Sequence, residues 1–409
     1  MNTLPADSSP PGAAAGSVVS GRRPRTAALD VARAVALVGV FVQNYVVAFN
    51  LYPLRSDAWP DAFHGWLARL TDYSQGPLTT RFAAALVTIF GIGLTLLGTS
   101  SEYSGWTPVR RGALLFTGGM WFNTVWPGTI LPFFGMYFVI LGPFARVRRR
   151  AYLLIAAVSV TALTFASRLW IFFALDADRG RLSGDLAWLA MRDERGSRLG
   201  LSNPRGFAAS MLYWGAHPLL PWLGFVLVGM WVGRTSWKTE AVQKRLVGVG
   251  GAMIGVGYVV ASVMTRHVSE KWAWAWSTTL SSPYLDNPIK YDAPLYVVVT
   301  VGSSIAGIGL VLLAASRFPS AWVTRRLSEA GTVTLSIYVL HGLIPAAMFR
   351  WWLDRPSMGV GWAVLVAAAS WVLAMAVGSW WVRRFRRGPL EVLLRRFSDN
   401  GAHSSEIRR

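Results

Sequence analysis

Apolar stretches of about 20 residues recur along the whole chain, separated by short charged segments, and this repetition decides what the chain can fold into. Twenty residues of helix rise about 30 Å, the thickness of the hydrocarbon core of a bilayer. Within that core only helices and closed barrels satisfy their own backbone groups. Spans are placed at 29–51, 78–99, 113–126, 127–145, 151–175, 206–233, 246–265, 294–316, 331–349 and 359–382. The expected fold is all-α: a polytopic integral membrane helical bundle of about ten transmembrane helices. Composition agrees, because 53% hydrophobic and 15% charged residues leave too little polar surface for a soluble protein of 409 residues.

A net charge of +20 would suit nucleic acid, so its distribution has to decide. With the N-terminus inside, the tails and inner loops hold 24 basic residues against 7 acidic ones, whereas the outer loops hold 13 against 12. That asymmetry is the positive-inside bias of a multi-pass protein, with both termini cytoplasmic. The basic partner is then the anionic lipid of the bilayer, and no nucleic acid is expected. Residues 1–26, rich in Pro, Ala, Gly and Ser and lacking an apolar core, read as a disordered basic cytoplasmic tail. Residues 27–397 form one membrane domain and 398–409 a polar cytoplasmic tail. Arg-rich, Lys-poor and Ala/Gly/Trp-rich usage fits a high-GC bacterium, and the expected location is the bacterial plasma membrane. The absence of cysteine removes thiolate nucleophiles and thiolate metal sites.

Polar groups inside the spans are costly and mark candidate sites. Asp30 and Arg33 stand at i,i+3 on the inner end of the first span, where they pair or, alternatively, offer the guanidinium to a cytoplasmic anion. Gln43 and Asn44 lie three turns further on in an otherwise apolar run. Five histidines supply the only side chains suited to general base work near neutrality. His64 falls in the first outer loop, His217 before Pro218, His267 at an outer helix end, His403 in the C-tail and His341 near the middle of a span. An imidazole at that depth calls for a polar partner, which Ser336 or Tyr338 can supply. Neither HxxxxD nor HExxH occurs, and no metal is expected. Glycines at GxxxG spacing, Gly251 and Gly255, and the group Gly302, Gly307 and Gly309 suit close helix packing.

Several stretches together resemble a known family. They are LDVARAVALVGVFVQN (29–44), FGIGLTLL (90–97), RRGALLFTGG (110–119), LPWLGFVLVGMWVGR (220–234), LSEAGTVTLSIYVLH (327–341) and GPLEVLLRRF (388–397). In this order they resemble the bacterial YeiB-like membrane proteins, related to the heparan-α-glucosaminide N-acetyltransferase-like transmembrane acyltransferases. The resemblance implies a bundle of about ten helices that passes an acyl group from cytoplasmic acyl-CoA to an acceptor on the other side. It implies a catalytic role for Asn44 and for His64, although the spacing between the two is longer here. Where relatives read Gly-Asp-Ile-Leu, this chain has Thr129 in place of the acid. His341 stands where many YeiB-like chains carry Gln and where other membrane acyltransferases carry a Tyr and His pair.

The resulting expectation is an acyltransferase with acyl-CoA, acetyl-CoA first, as co-substrate and no permanently bound cofactor. Arg33, with Asp30, would hold the CoA phosphates. His64, or failing it His341, would deprotonate a hydroxyl or amine of a small-molecule, glycan or lipid acceptor while Asn44 supports the oxyanion. The rival readings are a transporter of a small amphiphile and a scaffold without turnover. The sequence leaves the oligomeric state open.

Overall fold

In the computed structural model the apolar stretches are helices, and no strand occurs among the described residues. Those residues are 27–51, 66, 70, 78, 80–100, 103–127, 129–177, 204–215, 217–268, 294–351 and 360–398, with the backbone alone for 49–51, 171–177, 214 and 348–351. His64, His403 and residues 1–26 and 399–409 lie outside them. The helices are α1 (Ala27–Leu51), α2 (Arg81–Gly98), α3 (Trp106–Val125), α4 (Leu131–Leu141), α5 (Arg150–Ala177), α6 (Pro204–Ala209) and α7 (Leu219–Gly233). They continue with α8 (Glu240–His267), α9 (Pro294–Arg317), α10 (Trp322–Gly331), α11 (Thr334–Trp351), α12 (Val360–Phe385) and α13 (Pro389–Ser398).

Among the described residues six helices (α1, α2, α5, α8, α9 and α12) are long and apolar enough to cross a membrane, or seven if α10 and α11 are one span broken by an 83° bend. Three expected spans fall short. The fourth is an 11-residue helix, α4, continued by a 3-10 turn at Gly142–Arg146. Proline explains this, since Pro127 falls in the break after α3 and Pro132 opens α4, where a missing N–H costs nothing. Likewise the sixth is divided into α6, a π turn at Ser210–Trp214 and the 15-residue α7, which begins after Pro218. The third, α3, has the length but carries Arg110, Arg111 and several polar residues.

Many large apolar side chains face outward, among them Ile155 and Leu163 on α5, Val256 and Val259 on α8, and Val372 and Leu373 on α12. Water would not tolerate such a girdle, whereas lipid does. Hydroxyls within the helices bond back to the preceding turn, as in Thr88 to the Ala84 carbonyl at 2.9 Å and Thr164 to the Val160 carbonyl at 2.7 Å, so no water is needed for them.

Helix α1 is the hub, packed against α2, α9, α10, α11 and α12. Arg33 of α1 approaches Gly93 of α2 and Phe82 of α2 approaches Gly39 of α1, so the two helices run antiparallel. Elsewhere glycine sets the distance between helices: Gly91 of α2 and Gly229 of α7 meet backbone to backbone, and Gly302 and Gly309 of α9 sit against α8. Gly251, Gly255 and Gly307 differ from expectation. A Cβ at any of the three would meet nothing within 4 Å, because it is Gly250 and Gly257 of α8 that touch α9. The GxxxG spacing thus falls on the outer face.

Two of the stretches quoted above, 327–341 and 388–397, cap one another. Glu391 of α13 accepts hydrogen bonds from the amides of Leu335 at 2.7 Å and Ser336 at 3.2 Å, the open donors of the first turn of α11. In return the Ser336 hydroxyl, which donates to Glu391 at 2.5 Å, accepts from the Leu390 amide at 3.2 Å. Removing this carboxylate with Glu391→Ala is expected to cost about 1.5–3 kcal/mol, the range for a hydrogen bond to a charged group. The loss would be read as a lower thermal midpoint with faster hydrogen exchange at Leu335 and Ser336.

Candidate functional site

Deep in the bundle, α11 brings His341 against α1. The imidazole is 1% exposed. Its Nδ1 bonds the carbonyl of Tyr338 one turn back, and since a carbonyl only accepts, Nδ1 carries the proton. The lone pair is therefore on Nε2, where the Asn44 side-chain amide donates to it at 2.8 Å. Two residues 297 positions apart in sequence form one polar pair, with His341 enclosed and Asn44 partly exposed.

Aromatic rings hold the imidazole in place. Phe41 stacks on it at 4.6 Å, Tyr338 is tilted at 4.8 Å, and Trp126 meets it edge-on at 6.0 Å. Phe41 is in turn held by Trp371 of α12 at 5.3 Å. The Tyr45 hydroxyl donates to the His341 carbonyl at 3.4 Å and also bonds Ser370. This contact has a backbone cause. The helical partner of the carbonyl at 341 would be the amide at 345, which is proline, so Tyr45 fills the vacancy that Pro345 leaves.

Tyr338 has a second duty. Its hydroxyl accepts from the Ile130 amide at 3.0 Å and pairs with Thr129 at 3.2 Å, tying the break between α3 and α4 to α11. Thr129 is fully buried and carries no charge at this point.

The other candidates are placed as follows. Arg33 donates to Asp30 at 2.6 Å at the start of α1, with the Arg33 side chain 30% and the Asp30 side chain 4% exposed. The carboxylate lies in the first turn, favoured by the helix dipole, and the backbone of Asp30 abuts Gly331 at the α10–α11 bend. His217 packs edge-on to Trp222 at 4.6 Å and to Phe133 at 5.9 Å, and its carbonyl accepts from Tyr137 at 2.8 Å, apart from the His341 cluster. His267 is exposed in the last turn of α8. Of the two partners expected, Ser336 is not used, because its hydroxyl serves Glu391, and Tyr338 is, through its carbonyl.

Sequence reasoning passed over Tyr45 and Trp126 as members of this cluster. For Tyr45 a signal existed, namely a proline four residues after an intramembrane histidine, which frees a carbonyl that must find a donor. Nothing local marked Trp126. Arg168 is 1% exposed and donates to the Tyr213 carbonyl at 2.7 Å, holding α5 to the π turn.

No curated protein matches the chain. Residues 286–399, a stretch that takes in α9 to α13 and with them His341 and Glu391, match the model of a family described as a protein of unknown function, DUF418.

Proposed function

We propose that this chain is a YeiB-like transmembrane acyltransferase of the bacterial plasma membrane, with ten spans and both termini cytoplasmic. It would move an acyl group, acetyl first, from cytoplasmic acyl-CoA to a hydroxyl or amine of an extracytoplasmic or membrane-borne acceptor. The observation that carries this reading is the Asn44–His341 hydrogen bond, a fixed tautomer with its basic nitrogen turned to an amide donor in the bundle interior.

In this account the acceptor takes the place of the Asn44 amide at Nε2. His341 removes its proton as the acceptor oxygen or nitrogen attacks the thioester carbon, and the released Asn44 amide donates to the oxyanion. Collapse breaks the carbon–sulfur bond, and the leaving CoA thiolate takes the proton from the imidazolium. Arg33 binds a CoA phosphate through its exposed edge, while Asp30 orients the guanidinium and stays off the anion. Eleven residues of α1, about 16 Å, separate Arg33 from Asn44, and the pantetheine arm bridges them. His64 is the alternative base in this scheme.

The test is acyl-CoA binding to purified protein. Saturable binding is expected that weakens about tenfold in Arg33→Ala and falls with added salt, one charge-assisted contact being worth about 1.5–3 kcal/mol. Binding unchanged in Arg33→Ala would remove Arg33 from the donor site. Transport of a small amphiphile without covalent chemistry is the second reading, favoured by the broken α6–α7 segment and the 83° bend between α10 and α11.

A further inference from the structure

Helix α12 has 26 residues and rises about 39 Å, more than the thickness of a hydrocarbon core, roughly 30 Å. Its charged end, with Arg383 and Arg384 in the last turn, is the part that lies outside that core. There the chain leaves the helix at Arg386, whose φ is 62°, and the Trp381 indole donates to the Arg387 carbonyl at 2.9 Å, folding the turn back on α12. Helix α13 follows at this level.

Two polar groups tie α13 to the bundle. Glu391 caps α11, and the hydroxyl of Ser398, 3% exposed, accepts from Nε of Arg111 on α3 at 3.1 Å. Seven residues apart, the two anchors share one helix face. Leu393 and Phe397, at i,i+4, stand on the side turned away, each 51% exposed. A helix on a water-exposed surface does the reverse, burying its apolar stripe and showing its polar face. The outer face of α13 therefore calls for an apolar medium that the bundle itself does not supply.

Charge says which medium. Arg384, Arg386, Arg395 and Arg396 are all exposed, and the one acid between them, Glu391, is committed to the cap. Among the described residues no carboxylate is paired with any of these four arginines. The pattern extends to α10, which is bound to the end of α12 by the Glu329–Arg383 pair at 3.6 Å and exposes Trp322 and Val323 beside Arg325. Trp380 and Phe385 of α12 are exposed as well, so the apolar face of α13 continues the girdle of the spans. Aromatic and aliphatic side chains flanked by arginine are the composition of a helix lying in a lipid–water interface.

We infer that α13 lies in the membrane interface and binds anionic phospholipid, with Leu393 and Phe397 among the acyl chains and Arg395 and Arg396 on the headgroup phosphates. Zwitterionic lipid would cover the apolar pair equally well, so the arginines make the selection. Each arginine near an anionic surface is worth about fivefold in binding. This inference rests on the chain's lying in a membrane and not on acyl transfer, and the two can fail separately.

The chain has no cysteine, so a single introduced one reports on one place. The test puts an environment-sensitive fluorophore on Leu393→Cys in the full chain, in nanodiscs of phosphatidylcholine. Acyl-brominated phosphatidylglycerol or acyl-brominated phosphatidylcholine, which quenches on contact, then replaces part of that lipid. Both are expected to quench, the phosphatidylglycerol reaching half-quenching at a fraction at least fivefold lower. Arg395→Gln with Arg396→Gln is expected to bring that ratio below twofold, and added salt to narrow it with the arginines in place. If the double variant does not elute as a folded protein, the salt titration decides. The inference is overturned if the label emits as in water and neither lipid quenches it, if the two lipids quench alike at low salt, or if the preference survives salt and the loss of both arginines. A label shielded from water and from both lipids would also overturn it, and would assign this face to a second copy of the chain.

Discussion

Replacing His341 by alanine is expected to lower acyl transfer about 10²–10⁴-fold, the usual contribution of a positioned general base. Alanine also empties an aromatic box, so the decisive variant is His341→Gln. Glutamine keeps a polar side chain opposite Asn44, so the fold is expected to survive. An amide cannot accept a proton at neutral pH, however, and turnover should fall as far as in the alanine variant. Asn44→Ala is expected to cost about 10²–10³-fold, the loss seen when one oxyanion donor is removed. Because the two residues act as a unit, the double variant should lose little more than the worse single one. A purely structural pair would behave otherwise: thermal midpoints would fall in step with activity, and His341→Gln would restore both.

The second large effect concerns the crossing of α2 and α7. Valine at Gly91 would drive a Cβ into the carbonyl of Val226 and to 2.9 Å from the Met230 amide nitrogen, and valine at Gly229 would meet the carbonyl of Thr88. Overpacking costs about 1–3 kcal/mol where side chains can yield. Here the obstacle is backbone on both helices, so the cost is expected to exceed that range and to leave no monodisperse protein in detergent. Gly251→Val and Gly255→Val, on the outer face of α8 with open space around them, should elute and melt like wild type. Size-exclusion chromatography of the four variants separates the two classes.

The helices were legible where apolar length alone decides, as in α1, α2, α5, α8, α9 and α12, whose bounds follow the apolar runs closely. Legibility failed where proline divides a run, because composition over 20 residues does not distinguish one crossing helix from α4 or from the α6–α7 pair. The stretches that carry the family resemblance are contact surfaces. Gly91 in the second meets Gly229 in the fourth, and Glu391 in the last caps the helix that begins with Thr334. Of the candidate site, Asn44 and His341 were each visible as polar groups in apolar runs, but their pairing is a long-range fact that no local pattern encodes. Tyr338 was named as a partner for His341 and is one, through its carbonyl. His64 lies outside the described residues, so its place relative to Asn44 rests on the resemblance alone.

The most direct test of the account is the release of CoA thiol by purified protein supplied with acetyl-CoA and an extract of candidate acceptors. The chain has no cysteine, so a thiol reagent reads the product without background from the protein. The account predicts thiol release by wild type in proportion to acetylated acceptor, and none above the protein-free rate in His341→Gln. Movement of an amphiphile across proteoliposomes with no thiol released, or release by His341→Gln at the wild-type rate, would contradict it.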